Sequence, residues 1–154
     1  MMNELVVRCC EERDLATISA REPSGRNYAQ TTFARQKAGD CLYLVAWLDD
    51  EPVGSGELEW GDVPELRNLH VDQDHRNHGI GTAITNAAEQ AASPRGRVAV
   101  GVAVDNADAR RLYQRLGYQP TTGTRTFTYT YIDDDGHEGT ATEIVEYLVK
   151  PLDI

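Results

Sequence analysis

Residues 42–48, Leu-Tyr-Leu-Val-Ala-Trp-Leu, are apolar without interruption, the pattern of a strand buried on both faces. Asp49-Asp50-Glu51-Pro52 is turn chemistry, and residues 53–60 read as the return strand of a hairpin. After Gly61-Asp62, residues 63–71 give a third strand, so the three form an antiparallel meander. The period then changes. From Gly79 onward, Ile80, Ala83, Ile84, Ala87, Ala88 and Ala91 recur at helical spacing until Ser93-Pro94 and Gly96 stop them. Val98, Val100, Val102 and Val104, interleaved with Ala and Gly, predict a central strand without a polar face. A helical crossover makes it parallel to the strand before the helix. Ala109, Leu112, Tyr113 and Leu116 form a second stripe, which Gly117 ends.

The ends of the chain complete the pattern. Residues 5–10 read as a first strand, and Asp14 is placed to cap a short helix carrying Leu15 and Ile18. Pro23-Ser24-Gly25 breaks that helix, and a second runs over residues 27–38. Late in the chain, residues 124–131 alternate Thr with Phe127, Tyr129 and Tyr131. An acidic loop, residues 133–139, leads to a last strand at 143–149. The class is α+β: a mixed, mostly antiparallel sheet with helices packed on it.

Composition narrows the function. The 154 residues are 40% hydrophobic and 26% charged, which excludes a disordered chain and makes one domain, 1–154, the expectation. The net charge is −10, so nucleic acid is disfavoured as a partner and a cationic molecule or basic peptide favoured. Three cysteines, Cys9, Cys10 and Cys41, include no CxxC pair, so neither a disulfide framework nor a zinc site is expected. Met1-Met2-Asn3-Glu4 lacks the basic region of a signal peptide, and no apolar run is long enough to span a membrane. A cytoplasmic location is the expectation.

The segment 69–82 carries the most chemistry. A strand ends, a polar loop follows, and Gly79 and Gly81 open an alanine-rich helix. Free N–H groups at a helix N-terminus, with the positive end of its dipole, can receive a phosphate. Glycines let a ligand approach the backbone, and Arg76 adds positive charge. Spacing alone leaves open a turn that uses glycine only for geometry. His70, His75 and His78 lie close in sequence but have no companion Cys or HExxH arrangement, so no metal site is expected.

The run Arg76-Asn77-His78-Gly79-Ile80-Gly81 resembles the acyl-CoA signature of the GNAT superfamily of N-acyltransferases, Gln/Arg-x-x-Gly-x-Gly/Ala. About 30 residues on, Asn106, Ala109, Leu112-Tyr113 and Gly117-Tyr118 resemble the family's N-x-x-A-x-x-L-Y-x-x-x-G-[FY] stretch. The preceding strand–helix–helix and hairpin match in order and length, so the resemblance spans most of residues 4–149. It implies a three-layer α/β/α fold with a seven-stranded sheet, a splayed parallel pair of central strands and about four helices.

Roles follow from the resemblance by position. Acetyl-CoA would be the acyl donor, its pantetheine arm pairing with backbone at Leu69, His70 and Val71 and contacting Asn106. Its pyrophosphate would sit on the amides of Arg76, Asn77, His78, Gly79, Ile80, Gly81 and Thr82. Tyr113 would protonate the departing thiolate; read from spacing alone it is a core aromatic. Glu65 matches the general-base position of histone-acetylating members, with Glu57 and Glu59 on the neighbouring strand as rivals; all three also read as solvated strand carboxylates. The acceptor would be a small-molecule or peptide amine, cationic by the acidity of residues 133–138, and a homodimer through the late strands fits the family. The competing reading is an acyl-CoA-binding sensor without catalysis.

Overall fold

The computed structural model describes residues 4–23 and 25–152. Ser24 and Met1–Asn3, on which two of the expectations above bear, lie outside them. Seven strands, β1 (Leu5–Cys9), β2 (Cys41–Leu48), β3 (Glu51–Glu59), β4 (Glu65–Val71), β5 (Arg97–Ala103), β6 (Gln119–Ile132) and β7 (Glu138–Pro151), form one sheet in the order β1-β2-β3-β4-β5-β7-β6. The α-helices are α1 (Leu15–Ser19), α2 (Tyr28–Lys37), α3 (Ile80–Ala92) and α4 (Ala107–Arg115). Every strand pair is antiparallel except β4–β5. Among the described residues no helix is long and apolar enough to cross a membrane.

The helices cover both faces. On one, Ile80, Ile84, Ala88 and Ala92 of α3 and Tyr113 of α4 join Leu44, Leu58, Leu66, Val98, Val100, Val102 and Leu148 in the main core. On the other, Tyr43, Val45 and Trp47 of β2 meet Ala29, with Leu15, Ile18, Tyr28 and Phe33 packed around them. Strand β2 therefore feeds both cores, the reason its sequence has no polar face.

Two glycines decide how closely α3 sits on the sheet. A Cβ on Gly54 would lie 2.8 Å from the carbonyl oxygen of His70 and 3.2 Å from Ile80 and Ile84. One on Gly56 would meet Ile84 at 3.1 Å and Leu66 at 3.2 Å. The Gly-x-Gly of β3 and the alanines of α3 are thus two halves of one close approach.

Two local expectations are corrected. Asp14 does not cap α1: its carboxylate accepts from Arg8 at 2.6 and 3.0 Å and from the Glu11 N–H at 2.8 Å. The part-buried contact with Arg8 outcompetes the helix end. The last two strands are also much longer than their apolar alternation indicates, pairing from Gln119↔Val149 out to Ile132↔Glu138. Cross-strand backbone bonds carry them past the end of the buried face, and residues 133–137 are left as the turn.

Gly54→Ala should cost about 1–3 kcal/mol, since the clash is with backbone. Gly61→Ala, whose Cβ would meet nothing nearer than 3.9 Å, should stay within about 0.5 kcal/mol of wild type. Urea denaturation of both variants checks this, and equal effects would refute it.

Candidate functional site

Strand β4 begins as the parallel partner of β5, through Glu65↔Ala99 and Leu66↔Val100, and the ladder ends there. On its other side β4 continues along β3, but with a shift: Ser55 faces His70 and Glu57 faces Arg67. Three residues of β4 span two of β3, a bulge centred on Asn68, whose φ is +54°. The strand leaves β5 as it bulges, so a gap opens between residues 67–71 and the end of β5.

Beyond that gap Asn77 and Gly79 both take left-handed backbone, at φ +66° and +79°. Gly79 is the N-cap of α3 and supplies no side chain. The first backbone bond of the helix runs from Ala83 N–H to Gly79 carbonyl, leaving the N–H groups of Ile80, Gly81 and Thr82 without intrahelical acceptors. Arg76 is exposed and folds back so that its Nε donates to the Val71 carbonyl at 3.3 Å. Four of the predicted contact residues, Arg76, Asn77, His78 and Gly79, are solvent-exposed, and Ile80 turns its side chain into the core. These groups suit a phosphate-bearing ligand held by backbone.

Tyr113 lies on the same face as α3, 6% exposed, edge-on to Tyr118 at 5.5 Å between ring centroids. Burial pushes its phenol up to about 12, so at neutral pH it is a proton donor and not a phenolate. Among the described residues its hydroxyl has no hydrogen-bond partner. Asn106 caps α4, its Oδ1 accepting from the Ala109 N–H at 3.1 Å; its amide nitrogen is left for a ligand.

The three candidate carboxylates all lie on the opposite face of the sheet, with α1 and α2. They are not equivalent. Glu57 is 2% exposed and accepts from Tyr28 Oη at 2.5 Å, Arg35 Nη1 at 2.6 Å and Asn68 Nδ2 at 2.5 Å. Glu59 is held by Arg35. Glu65 pairs with Arg67 at 3.0 Å, on a side chain 17% exposed, beside Gly101 and the bare backbone of β5. The Cys41–Glu57–Glu59 cluster, where three ligand-type atoms converge, is crossed by the guanidinium of Arg35.

On this face a cavity of about 900 Å³ extends from the α1–α2 segment to the tip of the β6–β7 hairpin, within the size range of small-molecule sites. Tyr28, Tyr43, Asn68, Leu69, His70 and Tyr131 are among its walls. Arg26 closes one side by donating to the Ile132 carbonyl and pairing with Asp134 at 3.8 Å. The cavity thus reaches the bulged stretch of β4 from one face while the helix N-terminus of α3 flanks the end of the same strand.

Comparison with known proteins accords with this arrangement. Residues 7–118 match the acetyltransferase (GNAT) family. The chain belongs to that family of acyltransferase enzymes. It is 36% identical to an uncharacterised N-acetyltransferase of Methanocaldococcus jannaschii over 50% of this chain and 38% of that protein. It is 37% identical to a mycothiol acetyltransferase of Clavibacter sepedonicus over 51% of this chain and 26% of that one. The matches therefore span about a third of these relatives' length. In structure, the ribosomal-protein-S18-alanine N-acetyltransferase of Escherichia coli aligns at a TM-score of 0.68 with 20% identity, over 98% of this chain and 96% of that one. A GNAT acetyltransferase of Elizabethkingia anophelis with acetyl-CoA bound aligns at 0.65 with 16% identity, over 96% and 98%. Both support the fold.

The sequence reading of this GNAT site missed Tyr28, Arg35 and Asn68, which hold Glu57, and Arg26, which ties the hairpin to α2's approach. Asn68 is a polar residue among strand formers and leaves no periodic trace; its role appears only when β3 and β4 are in register.

Burial raises six phenols above the ordinary value, slightly for Tyr129 and Tyr147 and furthest for the four of Tyr28, Tyr43, Tyr113 and Tyr118. The folded state holds their protons where the unfolded chain, with phenols near pKa 10, releases them. Stability should therefore be unaffected by these groups below about pH 10 and fall as pH climbs through 10 to 12. Of the seven tyrosines, these four should ionise only with unfolding, which absorbance at 295 nm beside circular dichroism reads directly; free ionisation of all seven in the folded protein would refute it.

Proposed function

We propose that the chain is an acetyl-CoA-dependent N-acetyltransferase that acylates a cationic primary amine, of a small molecule or peptide, by direct transfer in a ternary complex. The observation that carries this reading is the two-sided access to the β4 bulge: unsatisfied amides at the start of α3 toward one face, a cavity on the other. Acetyl-CoA would supply an acetyl thioester. Backbone amides of residues 76–82 would bind its phosphates, and those of Leu69, His70 and Val71 would hold the arm and polarise the carbonyl. The acceptor would occupy the aromatic cavity, under the acidic hairpin of Asp133, Asp134 and Asp135.

An ammonium acceptor must first lose a proton. Glu65 takes that role in this reading, through water, since it is more exposed than Glu57 and Arg67 occupies only part of its acceptor capacity. The amine nitrogen then attacks the carbonyl, the C–S bond breaks as the nitrogen gives its second proton to water, and the sulfur takes the proton of the Tyr113 phenol, while Glu65 passes the first proton on to solvent. Tyr113 recovers a proton from solvent, closing the balance to amide, free thiol and one released proton.

Titration calorimetry with acetyl-CoA should show binding that Arg76→Glu weakens by roughly tenfold, more at low salt. Absence of binding to the wild type would overturn the reading. Tyr113→Phe should lower kcat in CoA release by about 10²-fold or more while leaving acetyl-CoA affinity nearly unchanged; wild-type binding without release against any amine panel would identify a binding module. Glu65→Gln should lose most at neutral pH, with the defect shrinking as pH approaches an alkylamine pKa of about 10, where the free base needs no help. A constant defect across pH would remove Glu65 from the base role.

A further inference from the structure

Glu57 is used by none of these steps, yet it is the buried carboxylate at the centre of this face. Two of its three donors, Tyr28 and Arg35, come from α2, and the third, Asn68, is the bulged residue of β4. Charge balance does not explain it. Arg35 already pairs with Glu59, 25% exposed, so a second carboxylate is not needed to neutralise the arginine, and burying one is costly. Three donors fill three of the roughly four acceptor sites of the Glu57 carboxylate, and its side chain is 2% exposed, which leaves it little access to a substrate. What distinguishes it is the contact to Asn68.

That contact sits at a decisive point of the strand. Three non-glycine residues among those described have positive φ: Asp49, Asn68 and Asn77. Asp49 and Asn77 lie in turns, whereas Asn68 is inside a strand, where left-handed backbone costs energy even for asparagine. The bulge also decides which way β4 faces. Leu66 points to the α3 core, and with the extra residue inserted Leu69 and Val71 point there too, while His70 lines the cavity. Without it the alternation would send Asn68 and His70 into the core and Leu69 and Val71 into the cavity.

We propose that Glu57 is a positioning residue: by anchoring the Asn68 side chain it pins the bulge that opens β4 from β5 and aims the backbone of residues 68–71 at the acyl site. This rests on the acetyltransferase reading for its kinetic consequence, but not for its structural one. The anchor joins three layers of contact, α2 through Tyr28 and Arg35, β3 through Glu57 itself, and β4 through Asn68. The floor of the acceptor cavity and the edge of the cofactor gap are therefore set by one carboxylate.

The test uses Glu57→Gln, Asn68→Ala, Asn68→Gly and the Glu57→Gln/Asn68→Ala double variant, with two readouts. Backbone hydrogen exchange should show the amides of 68–71 exchanging at least about tenfold faster in Glu57→Gln and Asn68→Ala, with the β1–β2 ladder unchanged. In CoA release, each single variant should lower kcat by roughly 10–100-fold with the shape of the pH profile kept, and the double variant should be no worse than the poorer single. Asn68→Gly, which adopts the left-handed backbone without strain, should recover part of the loss. Loss of the acidic limb of the pH profile in Glu57→Gln would make it the base and overturn the proposal. So would additive effects in the double variant, or a lowered Tm with kcat and exchange at 68–71 unaltered. Asn68 is exposed, so its variants carry the test should Glu57→Gln fail to fold. A wild type that releases no CoA defeats the functional reading alone, since the exchange experiment still decides whether Glu57 holds the bulge.

Discussion

Everything about this site depends on β4 parting from β5 after two residue pairs. A parallel ladder carried to the ends of both strands would satisfy every backbone group and leave a closed sheet with no room at its centre. Here the ladder stops at Leu66↔Val100, and the backbone groups beyond it are left for something else to pair with. Such groups are costly to bury unpaired, so a gap of this kind is either wet or filled by a ligand that behaves as an added strand. The crossover helix α3 then starts just past the gap, which brings its positive end to the same strand terminus.

The two faces of the sheet divide the chemistry. On the α3 side the chain is apolar and close-packed. Gly54 and Gly56 let the helix descend until Ile84 touches bare backbone, and Tyr113 is buried enough to keep its proton. On the α2 side a smaller apolar core is bordered by carboxylates held by arginines: Arg35 to Glu57 and Glu59, Arg67 to Glu65, Arg26 to the hairpin. Thirteen of the fifteen basic residues are arginine, and a planar guanidinium can bridge two carboxylates as Arg35 does. The overall acidity and this local pairing of the arginines are what support the proposal of an ammonium acceptor.

Much of the fold was legible in the sequence, for reasons that can be named. The stripe of Ile80, Ala83, Ile84, Ala87 and Ala88 specifies a helix because those positions share one face, and the valines of β5 specify a strand buried on both sides. The Arg76–Gly81 and Asn106–Tyr118 motifs follow the C-terminal ends of β4 and β5, the two parallel strands that flank the gap. Reading went wrong at Asp14, where a local capping rule lost to Arg8 of the preceding strand β1, and along β6 and β7. Their exposed outer halves, with Phe127 38% and Tyr129 41% exposed, carry no hydrophobic signal of burial to mark their extent.

Periodicity by itself determined the order of elements and the parallel step at the centre of the sheet, and motif spacing marked the segment proposed to receive an anion. Those are properties of neighbours in sequence, set by backbone sterics and the spacing of apolar positions. The surroundings of the three carboxylates were decided only by tertiary structure. Glu57, Glu59 and Glu65 look alike on alternating strands, and what separates them is which cations and amides arrive from α2 and from the bulge. Those partners are 22, 24 and 2 residues away for the arginines and 11 for Asn68. A side chain's chemistry is set by what surrounds it, and except for Glu65 those surroundings come from other elements of the fold.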